Sequence, residues 1–166
     1  MKKVVLNRQT SLSSSTTKYS QILESMETLS ETSKILSKIV QLEPEISVAI
    51  LSRDYQDSHT SIKTTRQVLH TCSHDSKFEN DVIQLNQSKS FGNLVNKKSS
   101  ELTYKGKTYR CVTNDEDRTH LLADYHNYVF LEYCRLYVVV IFTKNEERCL
   151  SAAQAAYHLA RFLEKF

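Results

Sequence analysis

The chain has 166 residues, 40% of them hydrophobic, which fits one domain able to bury a core. Its net charge of +3, with 22 Lys and Arg answered by 19 Asp and Glu, does not demand a nucleic-acid partner. Two glycines and one proline, where average usage would give about twelve and about eight, argue against phosphate loops, dinucleotide turns and nucleophile elbows, all of which need glycine for close backbone approach or strained turns. Four cysteines, at 72, 111, 134 and 149, include no CxxC pair and fit a reducing, cytosolic setting. No uncharged apolar stretch reaches the roughly 18 residues of a membrane span, and with Lys at position 2 no N-myristoylation is expected.

Residues 1–18 carry Lys2, Lys3, Arg8 and Lys18, no acid, and a Ser/Thr-rich run from Ser11 to Thr17. This composition predicts a disordered basic arm, either a regulatory tail or a transit peptide, ahead of a single α+β domain over 19–166. From Tyr19 to Gln41, Ile22, Met26, Leu29, Ile35, Leu36, Ile39, Val40 and, just beyond, Leu42 follow helical spacing, and Pro44 closes the helix. Glu45 to Arg53 reads as a strand, followed by turn residues and a weaker strand around His59 to Thr65. Arg66 to Asp75 reads as a polar loop or frayed helix end. It holds His70, Cys72 and His74, too few ligands for a zinc site without a fourth from elsewhere, so no metal is assigned.

Ser76 to Lys98 has helical spacing, with Phe78, Val82, Leu85, Phe91, Leu94 and Val95 facing inward and the polar stretch Asn86 to Ser90 weakening its middle. Between Lys89 and Arg110, Lys89, Lys97, Lys98, Lys105, Lys107 and Arg110 face only Glu101 and interleave with Tyr104 and Tyr109. Such a patch suits RNA or a phosphoinositide, while Lys105 and Lys107 would share one strand face, as on any solvated surface.

Leu102 to Thr113 alternates as one strand, Asn114 to Asp117 makes a turn, and Arg118 to Tyr125 forms the next strand. His120, His126, Asp117 and Asp124 lie close in sequence, but no nucleophile accompanies them, and no catalytic role is assigned. Tyr128 to Phe142 is apolar, β-branched and aromatic, charged only at Glu132 and Arg135, and reads as a strand buried on both faces. At about 3.3 Å per residue it would span about 50 Å, so it is expected to break near Cys134 and Arg135 or to project as an edge. Glu146 to Phe166 is an Ala-rich helix with acids in its first turn, expected to pack through Leu150, Ala153, Tyr157, Ala160 and Leu163 and to leave His158 in solvent.

The order α-β-β-α-β-β-β-α, with one antiparallel sheet flanked by helices, resembles roadblock-type domains and the related longin fold. The segment KTYRCVTNDEDRTHLLADYHNYVFL, Lys107 to Leu131, is similar to the third-to-fifth-strand segment of the small scaffold subunit of the EGO complex, the fungal counterpart of Ragulator. The resemblance implies a non-catalytic scaffold or adaptor without cofactor. It would pair with other roadblock-type subunits and hold Rag-type small GTPases for TOR signalling, reaching the vacuole or lysosome membrane through its partners. Candidate partner-facing residues, equally expected as core, are Ile35, Leu36 and Ile39 on the first helix and Phe78, Val82 and Leu85 on the second. The alternative is an anionic-ligand module using Lys97, Lys98, Lys105, Lys107 and Arg110.

Overall fold

A computed structural model describes residues 31–53, 55–56, 63–64, 66–96, 99–115, 119–124 and 126–166. The basic arm, the first turns of the predicted leading helix, Lys97, Lys98, Asp117 and most of the predicted His59 to Thr65 strand lie outside the described residues.

Helix α1 (Thr32–Leu42) turns its apolar stripe of Ile35, Leu36, Ile39 and Val40 inward, and Pro44 follows its end. The chain then enters β1 (Ile46–Ser52). A two-residue ribbon, β2 (Tyr55–Gln56) with β3 (Lys63–Thr64), precedes β4 (Val68–Cys72). Helices α2 (Phe78–Gln87) and α3 (Lys89–Val95) follow, then β5 (Glu101–Tyr104), β6 (Lys107–Asp115), β7 (Thr119–Asp124), β8 (Asn127–Tyr133) and β9 (Tyr137–Thr143). A short 3-10 turn (Glu146–Arg148) leads into α4 (Cys149–Leu163).

Seven strands form one antiparallel sheet in the order β4-β1-β9-β8-β7-β6-β5. The α+β class with helices on an antiparallel sheet is as expected, but the strand count is corrected: five strands, not three, lie between the second helical region and α4. Each additional strand comes from a predicted single strand folding back on itself. Leu102 to Thr113 reverses at Lys105 and Gly106, whose φ values of 52° and 73° suit the tight turn that joins Tyr104 to its partner Lys107. Tyr128 to Phe142 breaks at Arg135 and Leu136, where the Cys134 amide donates to the Tyr137 carbonyl at 2.9 Å, and the halves pair from Tyr128↔Thr143 to Tyr133↔Val138.

Two further expectations are corrected. Arg66 to Asp75 contains the edge strand β4, whose register slips opposite Ile50 and Leu51 so that Leu69 has no partner residue in β1. That bulge breaks the two-residue periodicity by which a strand is recognised. The predicted helix from Ser76 to Lys98 is two helices. Ser88 adopts an extended backbone (φ −73°, ψ 140°), donates its hydroxyl to the Leu85 carbonyl at 2.8 Å and accepts the Phe91 amide at 3.2 Å, ending one helix and capping the next.

The sheet separates two cores. On one face α1 and α4 cover Val48, Ile50, Val139, Ile141 and Phe130; on the other α2 and α3 cover Ala49, Leu51, Val138, Val140 and Leu131. The packing face of α4 departs from the expected one in its first turns, while Ala160 and Leu163 are buried as expected. Cys149, Ala152, Ala155, Ala156 and Leu159 are buried, whereas Leu150 is 55% exposed. The alanines let α4 lie close against β8 and β9, and longer side chains at those positions would hold it off. His158 is half-buried against Tyr157, with ring centroids 5.4 Å apart, rather than in solvent.

Two measurements test this packing. Gly106 adopts φ 73° and a methyl group there would meet open space, so Gly106→Ala should cost about 1 kcal/mol through backbone strain alone; an unchanged urea midpoint would contradict the turn. Burial holds the His158 pKa below the ordinary 6.5, so the folded chain takes up that proton less readily than the unfolded chain. Stability from this site is full above the unfolded pKa and is lost as pH falls from there toward the lowered folded value. His158→Gln should therefore flatten the fall in melting temperature below pH 6.5; parallel profiles for the two proteins would contradict it.

Candidate functional site

In an antiparallel sheet, neighbouring strands present opposite termini at each end. One end thus gathers the starts of β1, β8 and β6 with the ends of β4, β9, β7 and β5. A groove of about 830 Å³ lies there, beside the N-terminal turns of α2. Its apolar surface comes from Phe78 and Val82 of α2 and from Tyr109, Tyr128 and Phe142 of the sheet. Phe78 meets Phe142 edge to face at 5.6 Å between centroids, which places an aromatic pair in the groove wall. Ser47 and Ser73 join the first strands of the groove through hydroxyls 2.6 Å apart.

The turn between β5 and β6 holds α2 in place. The Tyr104 hydroxyl donates to the Asp81 carbonyl at 2.6 Å, and the Lys105 ammonium pairs with the Asp81 carboxylate. At the opposite side, Asn145 Nδ2 and Arg148 Nε donate to Glu45 Oε2 at 2.8 and 3.2 Å, fastening the start of β1 to the start of α4. Those two donors hold the Glu45 carboxyl below its ordinary pKa. Asp75, Glu146 and Glu147 also line this side, Lys107 and Lys144 complete the charged rim, and His126 lies in the lining as well.

Burial, assisted by Asp81 and then Tyr109, pushes the Tyr104 phenol up. Burial and then Asp124 do the same for Tyr109, and burial, Glu146 and Cys149 do so for Tyr128. The thiols move in the same direction: burial raises Cys111, and it pushes Cys134 up to about 12 and Cys149 up to about 11, with smaller contributions from nearby carboxylates. A raised phenol or thiol is a weaker nucleophile precursor at neutral pH, the opposite of what covalent catalysis requires.

The residues singled out from the sequence divide as follows. Ile35, Leu36 and Ile39 lie in the core under α1, and Phe78, Val82 and Leu85 lie in the core under α2; all are at most 7% exposed. Of their two readings, core and partner-facing, the structure places them in the core, with Phe78 and Val82 also reaching the groove wall. Lys105 is paired with Asp81 and Arg110 with Glu101 at 3.6 Å, so acids answer two cations of the basic patch. Lys107 is exposed on the groove rim. His70 lies 3.1 Å from the Ser33 hydroxyl, and among the described residues no three His, Cys, Asp or Glu gather as a metal site. His126 lines the groove, while the side chain of His120 lies outside the described residues. Sequence reading missed the groove itself, because its members are contributed by five strands, a helix and the segments between them, whose adjacency follows only from sheet order.

No protein-family model matches the chain, and no curated protein matches it. Among solved structures it is similar to Acanthamoeba castellanii profilin IB, with a TM-score of 0.53 and 17% identity over 80% of this chain and 96% of that one. At that identity the likeness is one of fold: an α+β domain built on an antiparallel sheet with flanking helices. Among the described residues, no helix is long and apolar enough to cross a membrane.

If Tyr104 and Lys105 hold α2 over the groove, Tyr104→Phe should cost about 1 kcal/mol, the net value of one hydrogen bond. It should also speed amide exchange in the first turn of α2. Unchanged exchange there would show that this bond does not hold the helix.

Proposed function

We propose that the protein is a non-catalytic, protein-binding scaffold or adaptor subunit. The observation that carries this reading is the groove: an aromatic and aliphatic surface rimmed by charges of both signs, beside phenols and thiols whose pKa values burial moves away from activation. Apolar centres with charged rims are the ordinary make-up of surfaces that receive another polypeptide.

The finer reading, a subunit that pairs with roadblock-type partners and holds Rag-type GTPases at the vacuole or lysosome membrane for TOR signalling, draws on the resemblance of Lys107 to Leu131. Support for it comes from β4-β1-β9-β8-β7, a run of five contiguous antiparallel strands with helices on both faces, as the roadblock-type reading expects. β5 and β6 extend that plan by two strands. The resembling segment covers β6 to β8, whereas β9 is the strand that leads to the closing helix, so sequence likeness and strand plan are offset by one strand. The RNA or phosphoinositide reading draws less support, because Lys105 and Arg110 are already paired with acids.

Sedimentation of the full chain with and without a Rag-type GTPase pair and roadblock-type subunits tests the reading. A stable assembly is expected. A well-behaved monomer indifferent to all of them would overturn the GTPase-scaffold assignment.

A further inference from the structure

The groove is charged unequally along its length. Two of its ionic positions are satisfied internally: Glu45 by Asn145 and Arg148, and Asp81 by Lys105. Asp75 beyond β4 and Glu146 and Glu147 beyond β9 line the groove without a salt bridge to any cation among the described residues, and Lys107 at the start of β6 likewise has none to an acid. Sheet order places these sets apart. β9 and β6 are separated by three strand spacings, and β4 and β6 by five. At about 4.8 Å per spacing these separations are roughly 14 and 24 Å, the reach of about four to seven extended residues. Lys144 lies on the acidic side and only partly offsets it. Phe142, with Phe78 against it, lies on β9 between β4 and β6, and Tyr109 lies on β6 beside Lys107.

We infer that this groove binds a short extended peptide segment of a partner protein, with a basic residue at one end, an acidic residue at the other and apolar or aromatic side chains between. The basic residue lies among Asp75, Glu146 and Glu147. The acidic residue meets Lys107, and the centre rests on Phe78 and Phe142. A nucleic acid would place its phosphates against the acidic side, and a purely basic peptide would leave Lys107 opposed by like charge. Opposed charges across a surface fix register and exclude wrong partners more than they add affinity, so the arrangement selects a sequence pattern. The inference rests on the protein-binding reading of the same groove but not on the identity of the GTPase complex.

The test is to pan a library of random ten-residue peptides on the immobilised full chain, then to measure an enriched peptide by fluorescence anisotropy. Enriched sequences should carry Lys or Arg and Asp or Glu on opposite sides of an apolar centre. Glu146→Gln with Glu147→Gln, and separately Lys107→Gln, should each weaken binding by about tenfold, and added salt should weaken the wild-type complex. Lys107 is exposed next to the β5–β6 turn, and the salt titration needs no substitution, so neither readout depends on the paired glutamate variant folding. Recovery of no peptide, enrichment without the opposed charges, or binding indifferent to salt and to both variants would overturn the inference. Failure of Rag-type association together with a bipolar consensus would overturn only the GTPase assignment.

Discussion

The structure depends on the double pairing of β9. Val138, Val139, Val140 and Ile141 are fully buried, with β1 hydrogen-bonded on one side, β8 on the other, and helices over both faces. Each such side chain contributes about 2 kcal/mol when withdrawn from water, and none can be shifted by one register without sending its neighbours to the wrong core. Both helical layers are referred to this strand: α4 packs on β8 and β9 from one side, while Phe78 of α2 meets Phe142 from the other.

The groove follows from that constraint. β9 carries Phe142 and then Lys144 and Asn145 to one end of the sheet, where the chain turns into the 3-10 segment and α4. The same turn supplies Glu146 and Glu147 to the groove and Asn145 to the cap, whose side chain accepts the Glu147 amide at 3.0 Å and donates to Glu45. The strand that holds the fold together therefore also delivers much of the charged rim, and the groove is anchored to the doubly paired part of the sheet.

Much of this was legible in the residues. The density of Val, Ile, Tyr and Phe from 128 to 142 marks a strand buried on both faces, and its excess length implies the break observed at Arg135 and Leu136. The point of reversal was hidden because Arg135 and Leu136 are not turn-forming residues and neither needs positive φ. Gly106 did carry a turn signal, yet the alternation on both sides of it reads as one strand when pairing is unknown. The bulge at Leu69 concealed β4, and the six apolar helix positions could not be sorted between core and interface until the sheet beneath them was defined. The groove was least legible. Its residues, from Pro44 to Glu147, share no motif, and only strand order brings Asp75, Tyr109 and Phe142 around one space.

The central place of β9 is tested most directly by residue-resolved hydrogen exchange under native conditions. The slowest amides should be those of Val138 to Ile141 with Val48 to Leu51 and Val129 to Leu131, exchanging only on global unfolding, while Glu101 to Tyr104 at the sheet edge exchange faster. Exchange of Val138 to Ile141 as fast as that edge would contradict the account.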